Sequence, residues 1–253
     1  MGLGRRGTAV SEHSAWVFNR MADVYDARPA YPEMLIESLA QFAGKPGAYV
    51  GDLGAGIGHV ALPLAQRGFD VTAVEPARAM LDQLEDRASR RGLAIQAIHA
   101  AAEAIPVEQA SFDLVVIADA LHFLDAELTG IEVDRVLDEQ GALAMITSEL
   151  GDTPFMRALV ALMEEAAPRR PRETSQAIAQ VAALSHVTLS EPSTFVDHTP
   201  VSAEQLQRIV KSISFIGPAM NDERFTNFWH RVTELPDPPV WSRRFTLHAG
   251  RRG

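Results

Sequence analysis

The chain contains no cysteine. That excludes disulfides, thiolate nucleophiles and cysteine-held iron–sulfur clusters. It is also short of positive charge, with 23 Lys and Arg against 33 Asp and Glu, a net charge of −10 and a pI of about 5.3. Such a balance argues against a broad phosphate-binding surface, and therefore against nucleic acid as a partner; a small molecule is the expected substrate. No apolar run approaches the roughly 18 residues of a membrane span, so no membrane partner is expected. The N-terminal MGLGRRGTAVSEHSAW lacks the apolar core of a signal peptide, which makes the cytoplasm the expected compartment. No two histidines stand at i, i+4 and the acids are scattered, so no metal site is expected. Internal repeats and low-complexity tracts are absent as well.

What the chain does have is 253 residues, 47% of them apolar. That is enough for one large α/β domain or for a core with a cap. The most informative stretch is YVGDLGAGIGHVALPLAQRGFDVTAVEP, residues 49–76. An apolar run (Tyr49, Val50, Leu53) leads into Gly54, Gly56 and Gly58. Val60 to Arg67 has helical spacing, and a second strand-like run, Asp70 to Val74, ends on Glu75. Strand, glycine turn, helix and strand with a terminal acid are the parts of a nucleoside-cofactor site. Glycines let backbone approach the ligand, the helix N-terminus offers free N–H groups, and the acid pairs with ribose hydroxyls. The dinucleotide fingerprint G-x-G-x-x-G is not met. The third glycine comes one residue early and His59 stands in its place. Asp52, just before the turn, suits a cationic sulfonium ligand with an amino-acid tail better than a pyrophosphate.

The run Asp52-Leu-Gly-Ala-Gly-Ile-Gly58, followed by Val71-Thr-Ala-Val-Glu-Pro76, resembles motif I and the acidic motif of class I S-adenosylmethionine (SAM)-dependent methyltransferases of the small-molecule type. The resemblance is continuous over residues 45–148 and implies SAM as cofactor. With no cysteine, radical SAM chemistry and cytosine-C5 methylation are excluded. The segment FNRMADVYDARPAYP, residues 18–32, is similar to the family's N-terminal lid. By that likeness Tyr25, Arg28 and Tyr31 face the methionine end of the cofactor, with Arg28 placed to pair with its carboxylate. Ala100-Ala-Ala-Glu-Ala-Ile-Pro106 resembles the adenine-cradling loop G-D-A-E-x-L-P. Ala101 stands where the family has an aspartate, a departure that leaves backbone at Ala101 and Ala102 to meet the ring edge; Glu103 fits the family's acidic position, or caps the short turn. Ser111 to Ala118 is a buried strand by its apolar run. The Asp119-Ala-Leu-His-Phe123 that follows is similar to the A-L-H-H or A-L-H-W segment of small-molecule members. The N/D-P-P-Y/F motif of exocyclic-amine methyltransferases is missing.

The resemblance implies an α/β fold, a seven-stranded, mostly parallel, doubly wound Rossmann-like sheet with an N-terminal helical lid and a helical insertion. The expected division is a mobile tail (residues 1 to about 10) and lid helices over 1–44, the SAM-binding core over 45–148, a helical cap over 149–190, and completion of the sheet over 191–253. Pro168 to Glu173 reads as a proline- and arginine-rich break, and Glu139 to Gly141 as a turn. The expected cofactor-binding residues are Tyr25, Arg28, Asp52, Gly54, Ala55, Gly56, Gly58, Glu75, Pro76, Ala101, Ala102, Glu103 and Ala118. His122 and Asp119 are the expected catalytic residues, lying past the carboxyl end of a parallel strand, where the reactive crevice forms. His122 suits a general base, since its unperturbed pKa is near neutrality. The implied reaction is methyl transfer to an O, N or C nucleophile of a small molecule, a secondary metabolite. Alternatives are a SAM-binding enzyme that does not methylate, such as a cyclase, and an RNA or protein methyltransferase. A homodimer is left open.

Overall fold

The computed structural model describes residues 17–167 and 174–253. The N-terminal tail and the Pro168–Glu173 break lie outside the described residues. Residues 17–25 are helical (α1). The chain then runs through α2 (Glu33–Ala43), β1 (Tyr49–Leu53), α3 (Ala61–Gln66), β2 (Asp70–Val74), α4 (Arg78–Arg90), β3 (Gln96–Ile98), β4 (Phe112–Ala118), α5 (Ala126–Val136) and β5 (Leu137–Leu150). It closes with α6 (Pro154–Ala166), α7 (Thr174–Leu184), β6 (Val187–Leu189), β7 (Ser193–Pro200), α8 (Ala203–Lys211), α9 (Asp222–Thr233) and β8 (Val240–Arg252).

The sheet has eight strands, ordered β3-β2-β1-β4-β5-β8-β6, with β7 also paired to β8. One more strand is present than expected because β6 and β7 both lie along β8, at Arg252–Gly250 and Leu247–Val240 respectively. β1 through β5 pair in parallel, and β8 enters antiparallel against β5. The expected turn at Glu139–Gly141 is instead an irregularity inside β5, where the β4–β5 register jumps between Phe112 and Leu114.

Alternate residues of the central strands feed two cores. Leu114, Val116, Ala142, Ala144 and Ile146 pack with Leu35, Leu39 and Leu64 of α2 and α3 on one face. Val115, Ile117, Leu143 and Met145 pack with Val133 of α5 and Val181 of α7 on the other. Strands covered on both faces need apolar residues at every position, which is why β4 reads as an unbroken run. A third cluster joins α6, α8 and α9, with Trp241 of β8 and Ala27 of the lid. The helices therefore group differently from the expected division. α7 flanks the sheet, while the cap draws α8 and α9 from beyond residue 190.

The winding reverses between β1 and β4, and the crevice at their carboxyl ends is the switch point where open α/β sheets take ligands. The lid crosses this crevice and is tied down on two sides. Asn19 Oδ1 accepts from Ala79 N–H at the start of α4. From α8, Arg208 binds the Asp23 carbonyl and the Asp26 carboxylate, and Gln205 Nε2 donates to the Ala27 carbonyl.

Candidate active site

The glycine turn is built by left-handed backbone. Gly54 has φ 73°, and a Cβ there would stand 2.6 Å from Ala120 Cβ. Only glycine lets the turn touch the loop after β4. Gly58, at φ 83°, lies against Leu62 and Leu84, so the early third glycine serves the packing of α3 on α4. Gly54 and Ala55 N–H both donate to the Val74 carbonyl. Gly56 N–H donates to Glu75 Oε2 and Ala77 N–H to Oε1, each at 2.8 Å. Burial pushes the Glu75 carboxyl up from its ordinary range, and these two N–H donors, with His99 beyond, pull it back down. A carboxylate accepts about four hydrogen bonds, so two lone-pair positions remain for a ligand.

Two cavities lie along the lid, one of them beside this turn. The cleft beside it is lined by Phe18, Tyr25, Gly54, Gly56, Glu75, Pro76, Met80, Ala102, Glu103, Ala118, Asp119, Ala120, Phe123 and Leu124. A larger cavity of 550 Å³ is lined in part by Tyr25, Arg28, Asp119, His122, Ser148, Trp241 and Arg243. Phe18, Tyr25, Asp119 and Phe123 belong to both. Of the expected cofactor residues, the structure brings Tyr25, Gly54, Gly56, Glu75, Pro76, Ala102, Glu103 and Ala118 together in the cleft. Arg28 lines the larger cavity instead, where its Nε and Nη2 donate to Ser212 Oγ and the Ser212 carbonyl at 2.8 and 2.6 Å.

Asp52, Ala55, Gly58 and Ala101 line neither cavity. Asp52 is buried and its Oδ2 accepts the Ala61 N–H that opens α3, 3.1 Å away. The acid thus takes up the first helix N–H from beneath the turn, and neither group reaches the cleft. Burial pushes Asp52 up to about 7; the Ala61 bond opposes the shift and Glu75 adds to it. His59 is held neutral. Burial and the surrounding guanidinium groups, Arg87 foremost, lower it to about 3. It lies stacked near Tyr25, ring centroids 6.1 Å apart.

Asp119 adopts φ 52°, a left-handed conformation rare outside glycine and tolerated by aspartate. Its N–H donates to the Ile146 carbonyl, and its Oδ2 accepts from Tyr31 Oη at 3.1 Å and Ser148 Oγ at 2.8 Å. Burial, with Asp119 adding to it, pushes the Tyr31 phenol well above its ordinary range and keeps it a donor. His122, on a short 3-10 turn over Leu121–Phe123, lines the larger cavity and not the cleft. In the adenine-side loop, Glu103 Oε1 accepts the Asp125 N–H at 3.0 Å. Its Oε2 is buried without a partner. Sequence reasoning missed Trp241 and Arg243. They stand in the last strand, far in sequence from every motif, and only the pairing of β8 beside β5 brings them to the crevice.

Residues 51–145 match the family model of a methyltransferase domain. The core thus resembles a class I SAM-dependent methyltransferase domain, a family whose cofactor is SAM. The chain is 38% identical over 119 residues to an uncharacterized methyltransferase of Mycobacterium tuberculosis H37Rv, covering 47% of this chain and 46% of that protein. It thus spans about half the length of such curated relatives. An uncharacterized methyltransferase of Schizosaccharomyces pombe is 28% identical over 207 residues, 81% of this chain and 80% of that one. Two solved structures share the methyltransferase fold. The YcgJ protein from Bacillus subtilis has a TM-score of 0.60 at 18% identity, covering 87% of this chain and 99% of its own. Geranyl diphosphate C-methyltransferase from Streptomyces coelicolor A3(2) has a TM-score of 0.59 at 15% identity, covering 96% and 98%. That structure contains S-adenosyl-L-homocysteine (SAH).

The cleft fits the cofactor. It offers a glycine cradle, an acid with two spare lone-pair positions and, in Glu103 Oε2, an orphaned acceptor. Among the described residues, no cluster of three or more His, Cys, Asp or Glu could hold a metal ion, and no helix is long and apolar enough to cross a membrane.

Proposed function

We propose that this protein transfers a methyl group from SAM to an O, N or C nucleophile of a small molecule, a secondary metabolite. The observation that carries this reading is the wall common to the two cavities. Phe18, Tyr25, Asp119 and Phe123 line both, so a cofactor in the cleft and a substrate in the larger cavity meet there. Bound SAM supplies an activated methyl carbon and a sulfide leaving group. The chain's own work is to bind, align and exclude water. Glu75 accepts the ribose hydroxyls. Glu103 Oε2 accepts the adenine amine, in place of the aspartate that the family pattern puts at residue 101. Phe18, Tyr25 and Phe123 shield the junction from water. Asp119, fixed by Tyr31 and Ser148, orients a substrate hydroxyl or amine, and His122 takes its proton.

The test is incubation of the full chain with methyl-labelled SAM and a small-molecule extract. The expected result is label in a new product, with SAH formed in equal amount. Label that stays on SAM while a substrate is consumed would overturn the reading in favour of a non-methylating SAM enzyme.

A further inference from the structure

The larger cavity holds two buried donors without acceptors that the methyl-transfer reading does not use. Trp241 and Arg243 stand two residues apart on β8, and the period of a strand puts both side chains on one face. Trp241 is 3% exposed and Arg243 8% exposed. Both line the cavity, yet Trp241 Nε1 and Arg243 Nε are buried donors with no partner. The Arg243 Nη2 group donates to the Pro29 and Ala30 carbonyls. Its guanidinium carbon lies 4.5 Å from the Phe245 ring centre. Arg28, on the same cavity, bonds to the Ser212 hydroxyl and carbonyl and to the Tyr25 hydroxyl. Among the described residues, no carboxylate forms an ion pair with either arginine. The nearby acids are Asp119, engaged with Tyr31 and Ser148, Asp197, which faces Arg243 across the β7–β8 pair and with Asp119 acts on its guanidinium through space, and Glu149 and Glu164, which are exposed. A buried guanidinium with no carboxylate in hydrogen-bond contact is costly, as is a buried N–H without an acceptor.

We propose that the substrate carries an anionic oxyacid group, carboxylate or phosphate-like, which accepts from Trp241 Nε1–H and Arg243 Nε–H while Arg28 adds positive charge. The inference rests on the methyltransferase reading and names the substrate class of that same site. The oxyacid end is held on β8, and the nucleophilic atom points to the Asp119 wall.

The test uses the full chain loaded with SAH and three probes of like shape: benzoate, phenylphosphonate and neutral benzamide. Calorimetry is expected to show at least one anion binding about tenfold or more tighter than benzamide, and the two anions distinguish carboxylate from phosphate-like recognition. Trp241→Phe keeps the ring and removes the donor. It is expected to weaken the preferred anion about tenfold and to leave SAH affinity unchanged. Arg243 also holds the lid backbone, so the tryptophan variant carries the test. Anions that bind no tighter than benzamide, or an unchanged anion affinity in Trp241→Phe, would overturn the inference while SAH still binds. Failure of SAH to bind would bring down the methyltransferase reading and this inference with it.

Discussion

The Tyr31 hydroxyl donates to Asp119 Oδ2 across 3.1 Å and 88 positions of sequence. This bond joins the end of the lid to the tip of β4, where the two cavities meet. Asp119 keeps Ser148 as a second donor, so removal of the tyrosine hydroxyl loosens the carboxylate without stranding it. Tyr31→Phe is therefore expected to lower kcat about tenfold and to leave SAM affinity within about twofold, since loss of one such bond amounts to about 1–1.5 kcal/mol. Steady-state kinetics beside calorimetry reads both. An unchanged kcat would remove Tyr31 from the positioning of Asp119.

His122 lines only the larger cavity. His122→Ala is expected to cut kcat by about 100-fold, in the range of lost general-base catalysis, with SAM affinity intact. Collapse of SAM binding instead would place His122 at the cofactor.

Glu75 accepts from Gly56 and Ala77, so it shapes the turn that it also equips. Glu75→Ala leaves two backbone donors without their acceptor. SAM affinity is expected to fall at least tenfold and stability by about 1–3 kcal/mol. Glu75→Gln keeps one acceptor oxygen and should lose less of both. Calorimetry and urea unfolding test the pair, and wild-type SAM affinity in Glu75→Ala would exclude the residue from ribose recognition.

How much of this was legible follows from where each signal lives. The unit over residues 49–76 was read to within a residue or two because its information is local: apolar runs, glycines at φ > 0 and an acid at a strand end. The tie of Arg28 to Ser212 was not legible because the two lie 184 positions apart. Asp52 was assigned to the ligand because its sequence position is the same whether it faces the cleft or the first N–H of α3. The grouping of α6 with α8 and α9 was not legible because they meet only through tertiary packing, and helical spacing does not say which helix is the neighbour. Trp241 and Arg243 carry no local motif at all.

Glu103 accepts the Asp125 N–H through Oε1, and in the proposed function it accepts the adenine amine through Oε2 as well. A glutamine has one acceptor oxygen and can serve only one of them. Glu103→Gln is therefore expected to weaken SAM about five- to tenfold. An analogue that lacks the adenine amine should bind wild type and variant alike. If the variant loses as much affinity for that analogue as for SAM, Glu103 does not read the amine.

Asp52 makes the last prediction one of sign. Its folded pKa is about 7 against an ordinary 3.8, so between those values the folded chain holds a proton that the unfolded chain has released. Stability from this group is then greatest at low pH and is lost as pH rises through 7, by about 1.4 kcal/mol per unit at most. His59, held down to about 3 from 6.5, acts oppositely. There the unfolded chain binds the extra proton, and stability rises with pH over that window. In the wild type the two slopes oppose each other between about pH 4 and 6.5. Asp52→Asn keeps an oxygen for the Ala61 N–H and abolishes the titration. Relative to wild type, the variant is expected to gain on the order of 2 kcal/mol between pH 5 and 7 and to level off above. Urea unfolding of both proteins at pH 5, 6, 7 and 8 measures this difference. A difference that stays flat with pH would mean that Asp52 is ionised in the folded chain throughout, with a water or counter-charge beneath the glycine turn.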